Sequence, residues 1–262
     1  MNYYDNHEFV SATLLKQFAK SPTKAKAYMS ESKSESEALK QGRCFHEMME
    51  DKREFLVFDP DQRPEPGKTF ASKENKLWKE SMLSRDGDII SLEQFQTLEA
   101  MVKKIKESKF YKGLQGTELE GIEKEFYHTF NNGNKAKCKP DALYNGADGS
   151  IICVDWKTTA DSLNTSERSA YWLVKKFQYN IQAVHYSEII KEITGKDVHF
   201  FLVFVEKASP YDVLPVYINP NGEFYNESFL EWNEALTGLN NAFKTGVWNT
   251  LEESIEGNYI KL

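Results

Sequence analysis

A chain of 262 residues with 40% hydrophobic, 13% aromatic and 28% charged side chains has the balance of a globular protein with room for one large α/β domain, which excludes a disordered chain. With 33 basic and 40 acidic side chains the formal charge is -7, so DNA binding by net charge is excluded and any nucleic acid site needs a local basic patch or metal ions. The longest apolar run, Phe200 to Val205, is too short to span a bilayer and the first residues show no signal-peptide pattern, so the chain reads as cytoplasmic, with no membrane association.

Residues Ser11 to Ser30 predict two short helices broken at Ser21-Pro22, with Leu14, Leu15 and Phe18 as the apolar stripe and Lys16, Lys20, Lys24 and Lys26 as a basic surface. A polar loop over Glu31 to Glu37 precedes a helix over Ala38 to Glu50, which carries His46. Pro60, Pro64, Pro66 and Gly67 mark Asp59 to Gly67 as irregular; helices follow over Ala71 to Leu83 and Leu92 to Lys109, the second opened by a Ser91-x-x-Gln94 capping box. From Ile122 the period changes to two. Strands are predicted over Ile122 to Phe130, Lys135 to Lys139 and Ile151 to Lys157, joined as an antiparallel meander through turns at Asn131 to Asn134 and Asn145-Gly146. A long helix over Arg168 to Ile193 is stopped by Gly195, strands follow at Val198 to Val205 and Val213 to Ile218, and a last helix runs over about Phe224 to Phe243.

That order describes an α/β (α+β) protein with a mixed central β-sheet flanked by helices. One domain over 1–262 is expected, with a helical part at 1–120, a sheet core at 121–220 and a helical segment at 221–262. Three scattered cysteines, Cys44, Cys138 and Cys153, support neither a zinc knuckle nor a cysteine-ligated iron–sulfur cluster.

The chemistry gathers at Pro140-Asp141 and Val154-Asp155-Trp156-Lys157. Thirteen residues separate Asp141 from Asp155, enough for a turn and a returning strand, and strand alternation puts Asp155 and Lys157 on one face. Carboxylate oxygens suit Mg²⁺, which polarises a phosphate and acidifies water, and a lysine orients that water or neutralises developing charge. Either dipeptide alone would be an ordinary turn or surface ion pair. The apolar Ile151-Ile152-Cys153-Val154 that delivers the charged pair argues for a site.

These residues resemble the PD-(D/E)XK nucleases, and more closely the RecE-like (exonuclease VIII), lambda exonuclease and RecB-type branch. Gly42-Arg43-Cys44-Phe45-His46 is similar to the branch's Gly-x-x-x-His helix, Gln182-Ala183-Val184-His185-Tyr186 to its Q-x-x-x-Y helix, and Asp155-Trp156-Lys157-Thr158-Thr159-Ala160-Asp161 to its D-x-K-T-T-A-D run. The resemblance covers Ser11 to Val205. It implies a catalytic set of Asp141, Asp155, Lys157, Gln182 and Tyr186, and a metal set of His46, Asp141, Asp155 and the Trp156 carbonyl. It further implies DNA contacts from Ser11, Lys20, Thr158, Thr159 and Gln178. Gln178 competes with Gln182 for the glutamine role, Glu47 with His46 for the acidic or ligand role, and Glu123 or Glu125 is a further candidate to face the metal. Lys135, Lys137 and Lys139 share one strand face and either track a DNA backbone or keep that face wet.

The implied activity is a Mg²⁺-dependent exodeoxyribonuclease, with Mn²⁺ as a substitute, acting 5′ to 3′ on double-stranded DNA ends. No P-loop pattern G-x-x-x-x-G-K-S/T is present, so the activity is read as ATP-independent. The implied partners are a RecT-like single-strand annealing protein and further copies of the chain in a homo-oligomeric ring, in a bacterial or phage-infected cell. The competing readings are a RecB- or CRISPR-adaptation-type nuclease, an endonuclease of the same fold, and a catalytically inactive DNA-binding module.

Overall fold

In the computed structural model, which describes residues 3, 6, 8–30, 36–85 and 87–253, two short helices come first, α1 (Ala12–Lys20) and α2 (Pro22–Ser30). The Ser11 side chain caps α1 by accepting from the Leu14 backbone N–H, and Pro22 opens α2, where its missing N–H costs nothing. Helix α3 (Glu37–Met49) follows a Ser36 cap; of the predicted polar loop, 31–35 lie outside the described residues. A short parallel pair, β1 (Leu56–Phe58) with β2 (Ile89–Ser91), brackets a 3-10 turn at Pro60–Gln62 and α4 (Lys73–Leu83).

The capping box at Ser91 and Gln94 is formed, and α5 (Leu92–Glu107) runs from it. A separate α6 (Lys109–Leu114) starts at Ser108, whose extended backbone ends one helix while its hydroxyl caps the next. The predicted strand Ile122 to Phe130 is two strands, β3 (Glu118–Ile122) and β4 (Phe126–Thr129), separated by Glu123 in the left-handed region at φ 47°. The remaining elements are β5 (Lys135–Cys138), β6 (Ala142–Asn145), β7 (Ile151–Thr159), α7 (Glu167–Lys176), α8 (Tyr179–Thr194), β8 (Val198–Glu206), β9 (Val213–Ile218) and α9 (Glu223–Thr245).

The main sheet is mixed, in the order β3-β6-β7-β8-β9; β7 and β8 are parallel and the other neighbours antiparallel. This corrects the expected three-strand meander. The partner of β7 is β6, while β5 pairs with β4 in a separate hairpin, the chain leaving β5 just before Pro140, which has no N–H for a ladder. The long helix expected over Arg168 to Ile193 is also corrected: Gln178 adopts φ 53°, ψ 35° and divides it into α7 and α8.

Two cores flank the sheet. On one side Cys153, Phe200, Leu202 and Phe204 pack against α1, α8 and α9; on the other Val154, Trp156, Val203 and Val205 pack against α3 and α5. Strand β8 is therefore covered on both faces, which is why its sequence is a continuous apolar run. Among the described residues no helix is long and apolar enough to cross a membrane.

Candidate active site

The β6–β7 turn sets the site. Gly146 N–H donates to the Ser150 carbonyl at 2.8 Å and Gly149 takes φ 85°, a conformation that favours glycine. The resulting register pairs Ala142 with Val154, so Asp141 and Asp155 are the next residues facing each other across the two strands. The Asp141 Oδ2 accepts the Trp156 backbone N–H at 2.7 Å, which ties the carboxylate to the neighbouring strand.

Helices from both layers reach this point. From α8, Gln182 Nε2 donates to Asp155 Oδ2 at 2.6 Å. From α3, His46 Nδ1 lies 3.4 Å from Asp141 Oδ2. Lys157 forms an ion pair with Asp155 Oδ1 and lies 5.2 Å from the centre of the Tyr179 ring. These groups border a cavity of about 540 Å³ whose walls include Ser11, Arg43, His46, Glu123, Lys139, Asp141, Asp155, Lys157, Gln182 and Tyr186.

Burial and close like charge shape the ionisation. Burial, reinforced by the charge of Asp155, pushes the Asp141 carboxyl well above the usual carboxylate range. Burial alone would lower the Lys157 ammonium, but Asp155 and Asp141 outweigh it and hold the group above its ordinary value. Burial, then the Lys157 charge, brings His46 down to about 4, which leaves the imidazole neutral at pH 7 with a lone pair to offer.

The donor set fits a hard divalent cation. His46 Nδ1 is buried, makes no hydrogen bond and adjoins the Asp141 carboxylate, while the buried Asp155 carboxylate holds Lys157 beside it. Among the described residues no three His, Cys, Asp or Glu side chains form a finished metal cage. A cation such as Mg²⁺, which keeps several waters and takes one or two carboxylates, does not require one. His46, Asp141 and Asp155 are the side chains that would hold it.

The other expected residues divide. Tyr186 lines the cavity, its hydroxyl pushed well above its usual range by burial, and Ser11 lines it too while capping α1. Gln182, not Gln178, reaches the carboxylates; Gln178 is spent on the left-handed turn before α8. Thr158 lies apart from them: alternation along β7 sends it to the opposite face from Asp155 and Lys157, into a second cavity of about 510 Å³ beside Gln94 and Lys207. Thr159 is buried, and its hydroxyl accepts the Asp161 N–H. Lys20 is exposed at the end of α1 and does not border the site cavity.

Glu47 accepts the Glu54 N–H at 2.9 Å, so of the α3 pair His46 faces the site. Glu123 lines the cavity, paired with Lys139 at 2.8 Å, whereas Glu125 accepts the Tyr127 hydroxyl on the surface. The row Lys135, Lys137, Lys139 is tied up internally. Lys137 is buried and donates to the Tyr3 and Asn6 carbonyls, and Lys135 pairs with Glu8. Lys16, expected only as basic surface, donates to Gln182 Oε1 at 2.7 Å and approaches the ring of Tyr179, a residue that no motif marks. Nothing in the sequence separates Lys16 from Lys20, Lys24 and Lys26.

A two-carboxylate, one-lysine site at the edge of β6 and β7 in a mixed sheet flanked by helices defines the PDDEXK-like class. The chain belongs to the family described as "PDDEXK-like domain of unknown function (DUF3799)", whose model matches residues 11–260. No curated protein matches it. Among solved structures it is similar to one named "Putative exonuclease" from Eubacterium rectale, at 16% identity and a TM-score of 0.66, covering 99% of this chain and 94% of that one. It is also matched to the structure of SSO0001 at 14% identity and a TM-score of 0.33, covering 87% and 84% of the two chains.

Proposed function

We infer that this chain is a metal-dependent nuclease that hydrolyses phosphodiester bonds of DNA at Asp141, Asp155 and Lys157. The observation that carries the reading is the convergence of the two carboxylates with Lys157 and a neutral His46 around one cavity. A PDDEXK-like family supports it, and the name carried by the Eubacterium rectale relative accords with an exonuclease.

A bound divalent cation would supply charge neutralisation at the phosphate and a more acidic water. The chain's own residues do the rest. Asp141 and Asp155 present oxygens on one side of the cavity, with Asp141 anchored by the Trp156 N–H and Asp155 by Gln182. Lys157, kept protonated by the two carboxylates, places a positive charge where the attacked phosphate gains negative charge. The Trp156 carbonyl completes the proposed ligand set.

The full reading is an ATP-independent exodeoxyribonuclease using Mg²⁺ or Mn²⁺, removing one strand of linear duplex DNA from the 5′ end. It acts as an oligomeric ring and hands single strands to an annealing protein for phage-type recombination. Incubation with linear and covalently closed circular duplex, one strand carrying a 5′ label, tests it. Loss of the linear DNA alone with early release of labelled mononucleotide is the expected result. Cutting of the circle would replace it with an endonuclease, and cleavage of neither with a binding module.

A further inference from the structure

The Gln182 side chain joins a carboxylate and a lysine amino group by its opposite ends. Its Nε2 donates to Asp155 Oδ2 at 2.6 Å and its Oε1 accepts from Lys16 Nζ at 2.7 Å. A carboxylate only accepts, so Nε2 must face Asp155, and Lys16 Nζ donates to the oxygen at the other end, so these two neighbours leave the amide a single orientation. Lys16 belongs to α1, 166 residues away in the chain, and its Nζ stands 4.5 Å from the centre of the same Tyr179 ring that Lys157 approaches at 5.2 Å. Gln182 is on the cavity wall, whereas Lys16 is not, so Lys16 stands behind Gln182 and meets the site through it.

We propose, building on the nuclease reading of this site, that Lys16 is a positioning residue: it pins the Gln182 amide, which holds Asp155 Oδ2 and leaves Asp155 Oδ1 turned toward Lys157 and the reacting groups. Without Lys16 the buried Gln182 Oε1 loses its partner, and an amide free to rotate no longer fixes the carboxylate. Small displacements of a catalytic carboxylate cost rate rather than substrate affinity.

The test uses Lys16→Met, Lys16→Arg, Gln182→Met and the Lys16/Gln182 double variant in the full chain, with duplex DNA and Mn²⁺. Lys16→Met is expected to lower kcat about 10- to 100-fold with KM for DNA within about 2-fold, and Lys16→Arg to recover most of the loss. In the Gln182→Met background, Lys16→Met should add nothing, because the two act as one unit. A separate readout needs no activity: the Gln182 side-chain amide signals in a ¹H–¹⁵N spectrum, identified by their loss in Gln182→Met, should be protected from solvent exchange in the native chain and unprotected in Lys16→Met.

If Lys16→Met does not fold, Lys16→Gln carries the same comparison with a neutral polar head. Additive losses with a raised KM, or an amide still protected in the folded variant, would overturn the proposal while leaving the nuclease reading in place. A native chain that cleaves no DNA but shows the Lys16-dependent amide protection would retain the positioning role and sink the nuclease reading.

Discussion

Asp155 answers to three neighbours at once: Gln182 on Oδ2, Lys157 on Oδ1, and the Asp141 carboxylate across the strand pair. Lys157→Ala is therefore expected to lower cleavage at least about 1,000-fold while the circular dichroism spectrum stays native, since oriented charge at the phosphate is worth several kcal/mol. An active Lys157→Ala protein would remove the lysine from the mechanism. His46→Ala is expected to raise the Mg²⁺ concentration for half-maximal rate about 10-fold with little change in KM for DNA. An unchanged Mg²⁺ midpoint would pass the ligand role to Glu123, which shares the cavity.

At the scale of elements, α8 brings Gln182 and Tyr186 to the strands that carry the carboxylates, and a turn and a histidine fix its place. Gln178 holds the left-handed turn before it, a conformation costly for a branched side chain. Gln178→Val should cost about 1–2 kcal/mol of stability in urea melts and Gln178→Gly should be tolerated; equal melts for both would show that the turn is not strained. Inside α8, His185 accepts from Trp232 Nε1 of α9 at 3.0 Å and donates from Nε2 to the Lys137 carbonyl of β5 at 3.0 Å, an arrangement only the neutral ring can make.

Burial lowers His185 to about 4, below the ordinary 6.5, so its contribution is whole above pH 6.5 and is lost as pH falls from 6.5 toward 4, when the unfolded chain binds a proton that the folded one refuses. The loss amounts to about 3 kcal/mol. His185→Gln, which can keep both bonds and does not titrate, should remove that part of the pH slope; parallel slopes would contradict the assignment. The apolar β8, the capping box at Ser91, and the pair Asp155 and Lys157 were legible because each rests on local spacing. The break at Gln178, the split at Glu123 and the Lys16–Gln182 contact were not, because no Gly or Pro marks the two turns and the contact spans 166 residues.

For the whole molecule, a net charge of -7 leaves DNA little to bind except the site itself. Arg43, Lys137, Lys139 and Lys157 line the cavity with Glu123, Asp141 and Asp155, so its basic groups are largely matched by acidic ones. Four basic groups limit the phosphates neutralised there, and log KM for duplex DNA should rise with log salt with a slope no steeper than about 4. A much steeper slope would place a larger DNA-binding surface elsewhere on the fold.

Metal-dependent phosphodiester hydrolysis at the paired carboxylates stands or falls on the metal and on Asp155. Uniformly labelled linear duplex is incubated with the native chain and with Asp155→Asn, purified side by side, in Mg²⁺ and in a chelator. Acid-soluble label is expected from the native chain in Mg²⁺ only, with a loss of at least about 1,000-fold in a folded Asp155→Asn protein. Cleavage by Asp155→Asn at the native rate, or by the native chain in the chelator, would contradict it.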